Sequence, residues 1–264
     1  MAIDPYDAAA AARDLPATFA RWRAWSDETR AELAHERDVR YGSSADETLD
    51  VFVPRRGAPL VVYFHGGYWR RLHKDDVTFI ARGLAPHGVA TALVNYGLAP
   101  AVPLEEITAQ AQRAAAFLRE RASDYGFAAE SIVVAGHSAG GHLAAMCAVD
   151  APVRALATIS GLHELRAVAR SHVNEWLQLD DERARRLSPV AFPPAAPCTI
   201  AAIVGQRESD AFKGQARAIV DAWTPYGCDG AYVESAGDDH YEVCDRLNDP
   251  YDPLTIRIAN LALG

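Results

Sequence analysis

A doubly wound α/β fold is what this chain predicts, and three observations carry the prediction. Apolar strand-like runs alternate with segments of helical period from about residue 48 onward. Most of the central runs are almost wholly apolar, the mark of strands covered on both faces. One of them ends abruptly in Gly136-His137-Ser138-Ala139-Gly140, directly before a helical stretch. Such alternation specifies a mostly parallel sheet flanked by helices.

The elements follow in order. Residues 1–38 carry Phe19, Trp22, Trp25 and Leu33 at helical spacings, which predicts an N-terminal helical arm laid over the domain. Strands are expected at residues 48–53, 60–65, 90–95, 131–136, 155–160, 199–205 and 231–235. Helices are expected at 75–86, 104–125, 139–150, 209–226 and 253–263. Residues 163–197 break the alternation, with a helix around 174–179, then Leu187-Ser188-Pro189 and the proline-rich stretch from Phe192 to Pro197. This cap-like insertion and the N-terminal arm are both candidates to roof a site at the carboxyl ends of the strands, where such sheets bind ligands. At 264 residues the chain fits one α/β domain, 1–264.

Composition narrows the function. The apolar fraction of 50% and charged fraction of 23% are those of an ordinary globular protein. A net charge of −9, with no Lys/Arg cluster to offset it, argues against nucleic acid or an anionic membrane as partner and leaves a small-molecule substrate. The run Arg183-Ala184-Arg185-Arg186, preceded by Asp180, Asp181 and Glu182, reads as a solvated helix face. Cys147, Cys198, Cys228 and Cys244 show no C-x-x-C spacing, and Cys147 and Cys198 lie in apolar stretches as buried thiols would. The first residues lack a basic region followed by an apolar core, and no apolar run approaches eighteen residues, so a cytoplasmic chain is expected. A homodimer is left open.

The chemistry starts at Ser138. A G-x-S-x-G sequence between strand and helix places the serine in a strained corner with its hydroxyl above the sheet edge. The flanking glycines are needed because a Cβ at either would collide with a neighbouring element. The helix beginning at Ala139 aims unpaired N–H groups at charge developing beside the serine. A plain glycine turn with Ser138 capping the helix would give the same five letters, so the rest of the constellation decides. A serine hydroxyl needs a base within hydrogen-bond reach, oriented by an acid, and at such an elbow acid and histidine follow in that chain order. Of nine histidines only His142, His163, His172 and His240 lie beyond Ser138; His142 is one turn into the helix, and His163 and His172 precede any credible acid. His240, after the last expected strand, is therefore the base. The acid comes from the loop after Gly205, where Glu208 at the G-x-x-acid position is preferred to Asp210, with Ser209 free to cap the next helix. For the oxyanion, Gly66 and Gly67 of His65-Gly66-Gly67-Tyr68-Trp69 can turn amides inward, and the amide of Ala139 completes the hole. No H-x-H, H-E-x-x-H or paired Cys/His spacing exists, so neither metal nor other cofactor is expected.

These motifs have a familiar order. His65-Gly66-Gly67-Tyr68-Trp69, Asn95-Tyr96 with Leu98-Ala99-Pro100, Gly136-His137-Ser138-Ala139-Gly140-Gly141-His142, Ser160-Gly161, Asn174-Glu175 and Asp239-His240-Tyr241-Glu242 together resemble the kynurenine formamidase (arylformamidase) branch of the α/β-hydrolases, over roughly residues 38–250. The chain departs from that family at Gly205-Gln206-Arg207-Glu208-Ser209-Asp210-Ala211-Phe212, where Glu208 stands for the family's aspartate. The resemblance implies hydrolysis of N-formyl-L-kynurenine to L-kynurenine and formate, in tryptophan degradation. It makes Tyr68, Trp69, Trp176 and Tyr241 candidates to stack on the leaving aryl ring, each equally consistent with core packing. Arg70 or Arg71 could meet a substrate carboxylate, although solvated surface charges are the expectation favoured for both. A general short-acyl carboxylesterase is the nearest alternative, and a non-catalytic ligand-binding protein on the same fold the more distant one.

Overall fold

The computed structural model describes residues 4–264, so the first three residues of the expected N-terminal arm lie outside it. Eight strands form one sheet: β1 (Glu36–Arg40), β2 (Thr48–Phe52), β3 (Ala58–Phe64), β4 (Ala90–Val94), β5 (Phe127–His137), β6 (Ala155–Ile159), β7 (Thr199–Gly205) and β8 (Asp229–Ser235), in the order β1-β2-β4-β3-β5-β6-β7-β8. From β4 to β8 every pairing is parallel; β2 pairs antiparallel with β1 and β4. Strands β3, β4 and β6 are buried at every position, as their unbroken apolar sequence requires. The mostly parallel, helix-flanked sheet predicted from the alternation is the fold.

The order of strands places the site. Connections run outward from β3 in both directions, to β4 on one side and β5 on the other, and the crevice of an open α/β sheet opens where the direction reverses. Pairing of Phe64 with Gly136 sets the ends of β3 and β5 side by side. The His65–Trp69 loop and the Ser138 turn therefore emerge as neighbours.

Three expectations need correction. Strand β1 lies where the N-terminal arm was expected to end as helix. It is an edge strand, held by backbone pairing to β2 and largely exposed, so Glu36-Arg37-Asp38-Val39-Arg40 carries no apolar pattern to betray it. The helix expected at 75–86 is broken into 3₁₀ turns at Lys74–Val77 and Ala85–His87 around Phe79–Leu84. Pro86 cannot donate an amide to an α-helical ladder, which ends the middle piece. The helix expected at 104–125 splits at Arg121 into Leu104–Glu120 and Ala122–Tyr125.

The arm itself is a short turn of helix, Ala8–Ala11, and a long helix, Leu15–Glu32, each started by an aspartate side chain that accepts an amide, Asp7 and Asp14. Trp22 anchors the long helix. Its ring is buried against Phe79, His137 and Tyr241, and its indole N–H donates to Asp245 at 2.6 Å. The 163–197 insertion holds Leu165–Val168, Asn174–Leu177 and Asp181–Arg186, the last exposing Arg185 and Arg186 toward Glu182. All four cysteines are free and buried. No helix of the described residues is long and apolar enough to cross a membrane.

Candidate active site

Three turns at the carboxyl edge of the sheet build the site, and two of them hold non-glycine residues at positive φ. Ser138 leaves β5 at φ 55°, ψ −116°, a conformation that costs energy and persists only where the surroundings enforce it. The enforcement is steric and polar. A Cβ on Gly136 would lie 2.3 Å from the Gly140 carbonyl group, and one on Gly140 would lie 2.0 Å from the Phe64 carbonyl oxygen, so only glycine allows the close crossing of strand and helix. The Ser138 amide donates to the Ile159 carbonyl of β6 at 2.8 Å. Ala139 opens the helix Ala139–Asp150 and so has no preceding turn of that helix to accept its amide. The Ser138 side chain is 1% exposed, and its Oγ has no protein hydrogen-bond partner among the described residues.

The loop after β3 is the second turn. Gly67 (φ 104°), Tyr68 (52°), Trp69 (55°) and Leu72 (71°) are all left-handed. A Cβ on Gly67 would meet the Arg71 carbonyl oxygen at 2.0 Å, and the amides of Arg70 and Arg71 close the turn onto the Gly67 carbonyl at 3.0 and 3.1 Å. His65 pins its start: Nδ1–H donates to the Gly66 carbonyl at 2.8 Å, and the ring stacks on Tyr96, whose hydroxyl donates to the His65 carbonyl at 2.6 Å. Burial lowers the His65 imidazole to about 4, so it is neutral near pH 7. The loop abuts the elbow, since a Cβ on Gly66 would lie 2.7 Å from His137 Nδ1.

His240 and Glu208 come together from the loops after β8 and β7. His240 Nδ1–H donates to Glu208 Oε2 at 2.7 Å, with both side chains buried. Two backbone crossings fix the pair: the Arg207 amide donates to the Asp238 carbonyl at 2.9 Å, and the Gln206 amide to the Ser235 carbonyl at 2.9 Å. Gly205 lies so close to this turn that a Cβ there would be 2.7 Å from the Asp239 carbonyl. Asp239 accepts the amides of Tyr241 and Glu242 and holds the turn just beyond His240. Ser209 caps the helix Asp210–Trp223, leaving Glu208 to face the histidine.

The elbow histidine was not singled out by the sequence. His137 Nε2–H donates to the His240 carbonyl at 2.8 Å, and its ring lies 4.6 Å from that of His240. Burial, and then the neighbouring imidazole, push His137 well below the ordinary histidine range. A neutral ring with one N–H committed to that carbonyl ties the turn of β5 to the loop that carries His240.

The roof uses both irregular regions. Tyr6 packs edge-on against Phe212, its hydroxyl accepts from Gln215 at 2.8 Å, and its carbonyl accepts from the Tyr68 hydroxyl. Asp4 accepts from the amide and the Nδ1 of His172, both at 2.8 Å, which joins the N-terminal segment to the insertion. The Ser209 hydroxyl donates to the Pro5 carbonyl at 2.6 Å, and the Arg13 amide to Asp239 at 2.9 Å. What remains between this segment and His240 is a cavity of about 20 Å³, lined in part by Pro5, Ala8, Glu208, Phe212 and His240.

Of the four aromatic candidates, Tyr68, Trp69 and Tyr241 are buried and Trp176 is half-buried. Trp69 is fully buried and meets His142 edge-on, and Tyr241 is buried among Phe19, Trp22 and His137. Tyr68 and Trp176 sit edge to face at 6.4 Å under the roof; the Trp176 indole donates to the Tyr68 carbonyl, and the Arg70 guanidinium lies 4.5 Å from the Trp176 ring.

A family model described as BD-FAE matches residues 49–176. Over 234 residues the chain is 31% identical to a Danio rerio kynurenine formamidase, covering 83% of this chain and 78% of that one. The chain belongs to the kynurenine formamidase branch of the α/β-hydrolases. It is an arylformamidase-like hydrolase. Among solved structures, one from Silicibacter sp. tm1040 described as a proposed thioesterase superposes with a TM-score of 0.83 at 31% identity, covering 96% of each chain. A shorter match, 35% identical over 117 residues, is to the Mycobacterium tuberculosis carboxylesterase NlhH, covering 43% of this chain and 37% of that one.

Proposed function

We propose that this formamidase-family hydrolase cleaves N-formyl-L-kynurenine to L-kynurenine and formate through a Ser138–His240–Glu208 triad. The observation that carries the catalytic reading is the buried Glu208–His240 hydrogen bond beside the strained Ser138 turn. Identity to the Danio rerio kynurenine formamidase over most of both chains supports the substrate.

Ser138 Oγ attacks the formyl carbon while His240 Nε2 takes its proton. Glu208 holds the Nδ1 proton and stabilises the imidazolium. The oxyanion is met by amides of Gly66, Gly67 and Ala139, whose turns are already rigid before substrate arrives. The tetrahedral adduct then breaks its C–N bond, His240 returns the proton to the aniline nitrogen, and L-kynurenine leaves. Water attacks the formyl-serine by the reverse sequence and releases formate. Tyr68, Trp69, Trp176 and Tyr241 are the candidates to flank the leaving aryl ring. No step needs a metal ion or other cofactor.

The test is the ratio of kcat/KM for N-formyl-L-kynurenine to that for p-nitrophenyl acetate. The formamidase reading expects the amide to be the better substrate and a chelator to change nothing. A large preference for the ester would instead support a short-acyl carboxylesterase, the reading that the likeness to NlhH favours.

A further inference from the structure

We propose that Ser160 is a positioning residue for the acid of this site, an inference that rests on the triad proposed above. Glu208 is buried, and each of its carboxylate oxygens is claimed. Oε1 accepts from the Ser160 hydroxyl at 2.5 Å and from the Gly205 amide at 2.6 Å; Oε2 accepts from His240 at 2.7 Å. Two donors on one oxygen turn the other toward the imidazole.

The backbone shows what holding a hydroxyl there involves. Ser160 leaves β6 at φ 51°, a conformation that a residue with a Cβ seldom adopts, and it is fully buried. Its amide donates to the Ile203 carbonyl of β7 at 2.7 Å, so the turn is fixed by the same sheet that carries Glu208. Glycine would suit that φ without strain; the serine brings a donor aimed at the carboxylate.

The longer acid gives the donor its purpose. Glutamate has one rotatable bond more than aspartate and more ways to swing its carboxylate from the histidine. Fixed donors at Ser160 and Gly205 remove that freedom. The extra methylene, in turn, lets one carboxylate span Ser160 and His240 together. Glu208 and Ser160 thus form a matched pair, and shortening the acid breaks one of its two side-chain contacts.

Ser160→Gly separates the hydroxyl from the fold, because glycine accepts the backbone conformation. The expected result is a kcat lowered roughly ten- to hundredfold, KM within about twofold, and a melting temperature within a few degrees of the parent. The low-field proton NMR signal of His240 Nδ1–H should broaden or move upfield. Glu208→Asp should lower kcat at least as far, and should cost much less in the Ser160→Gly background than alone. Ser160→Ala carries the same readouts if the glycine variant folds poorly. Parent-like kcat and an unmoved low-field signal in Ser160→Gly, with Ser138→Ala inactive, would overturn the role of Ser160 and leave the triad standing. An active Ser138→Ala would overturn the triad itself and this proposal with it.

Discussion

The carboxyl edge of the sheet and the roof above it are built by different physics. At the edge, position is set by backbone: Ser138, Ser160, Gly67, Tyr68, Trp69 and Leu72 hold left-handed conformations, and glycines at 67, 136, 140 and 205 admit contacts that any Cβ would block. In the roof, position is set by side-chain contacts: hydrogen bonds from His172 to Asp4, Ser209 to Pro5 and Gln215 to Tyr6, and the packing of Tyr6 on Phe212. An edge of this kind admits one arrangement, and disturbing it disturbs the chemistry or the fold. Disturbing a roof held by side-chain contacts is expected to change access more than chemistry.

Four outcomes would break or sharpen that contrast. The largest is Ser138→Ala: hydrolysis of N-formyl-L-kynurenine should fall by roughly 10⁴-fold or more, with a parent-like circular dichroism spectrum and melting curve. Residual turnover near the parent level would remove the edge from the chemistry. Next is Gly140→Ala, which drives a methyl group to 2.0 Å from the Phe64 carbonyl oxygen. It should cost about 3 kcal/mol in denaturant unfolding, together with activity; a neutral substitution would mean that the crossing of β5 and its helix is looser than described.

The third concerns pH. Burial lowers His65 and His142 to about 4 and His163 to about 3, and pushes His137 well below its ordinary value. Above about pH 6.5 these rings are neutral in the folded and unfolded chain alike and cost nothing. As pH falls from 6.5 toward 4 the unfolded chain takes up protons that the folded chain refuses, so stability is progressively lost, by roughly 3 kcal/mol for a site lowered to about 4. Melting temperature should therefore decline steeply between pH 6.5 and 4.5 and stay level from 7 to 8; a flat profile across the acid range would contradict neutral buried histidines. The smallest effect belongs to the roof. Asp4→Asn weakens the partly exposed pair with His172, worth about 0.5 kcal/mol. It should shift KM two- to fivefold and leave kcat nearly unchanged, and a kcat effect as large as that of Ser160→Gly would erase the distinction between roof and edge.

The same contrast decided what could be read from the residues. Strands β3, β4, β6, β7 and the last part of β5 were legible because burial on both faces leaves an apolar run. The start of β5, part-exposed, and β1, an exposed edge strand, left no such trace. His240 follows β8, a partly exposed edge strand, whereas Ser138 and Glu208 stand just after such apolar runs. Ser160 stands after one too, but a serine at a strand end is ordinary, and only the Glu208 carboxylate within reach gives it a partner. His137 lies inside the motif, but its partner is a carbonyl 103 residues away that no local pattern marks. Tyr68, Trp69 and Tyr241 are all buried, and nothing in the sequence sets them apart from the half-buried Trp176.

The sequence by itself therefore determined the α/β fold, the elbow with its two glycines, and the chain order of serine, acid and histidine, because periodicity and turn chemistry act over a few neighbouring residues. Only the tertiary structure decided which hydroxyl holds Glu208, which histidine ties the elbow to the His240 loop, and that residues near the N-terminus meet the insertion at Asp4 and His172. Those are contacts between residues far apart in the chain, and no local pattern encodes a partner that folding alone brings within hydrogen-bond distance.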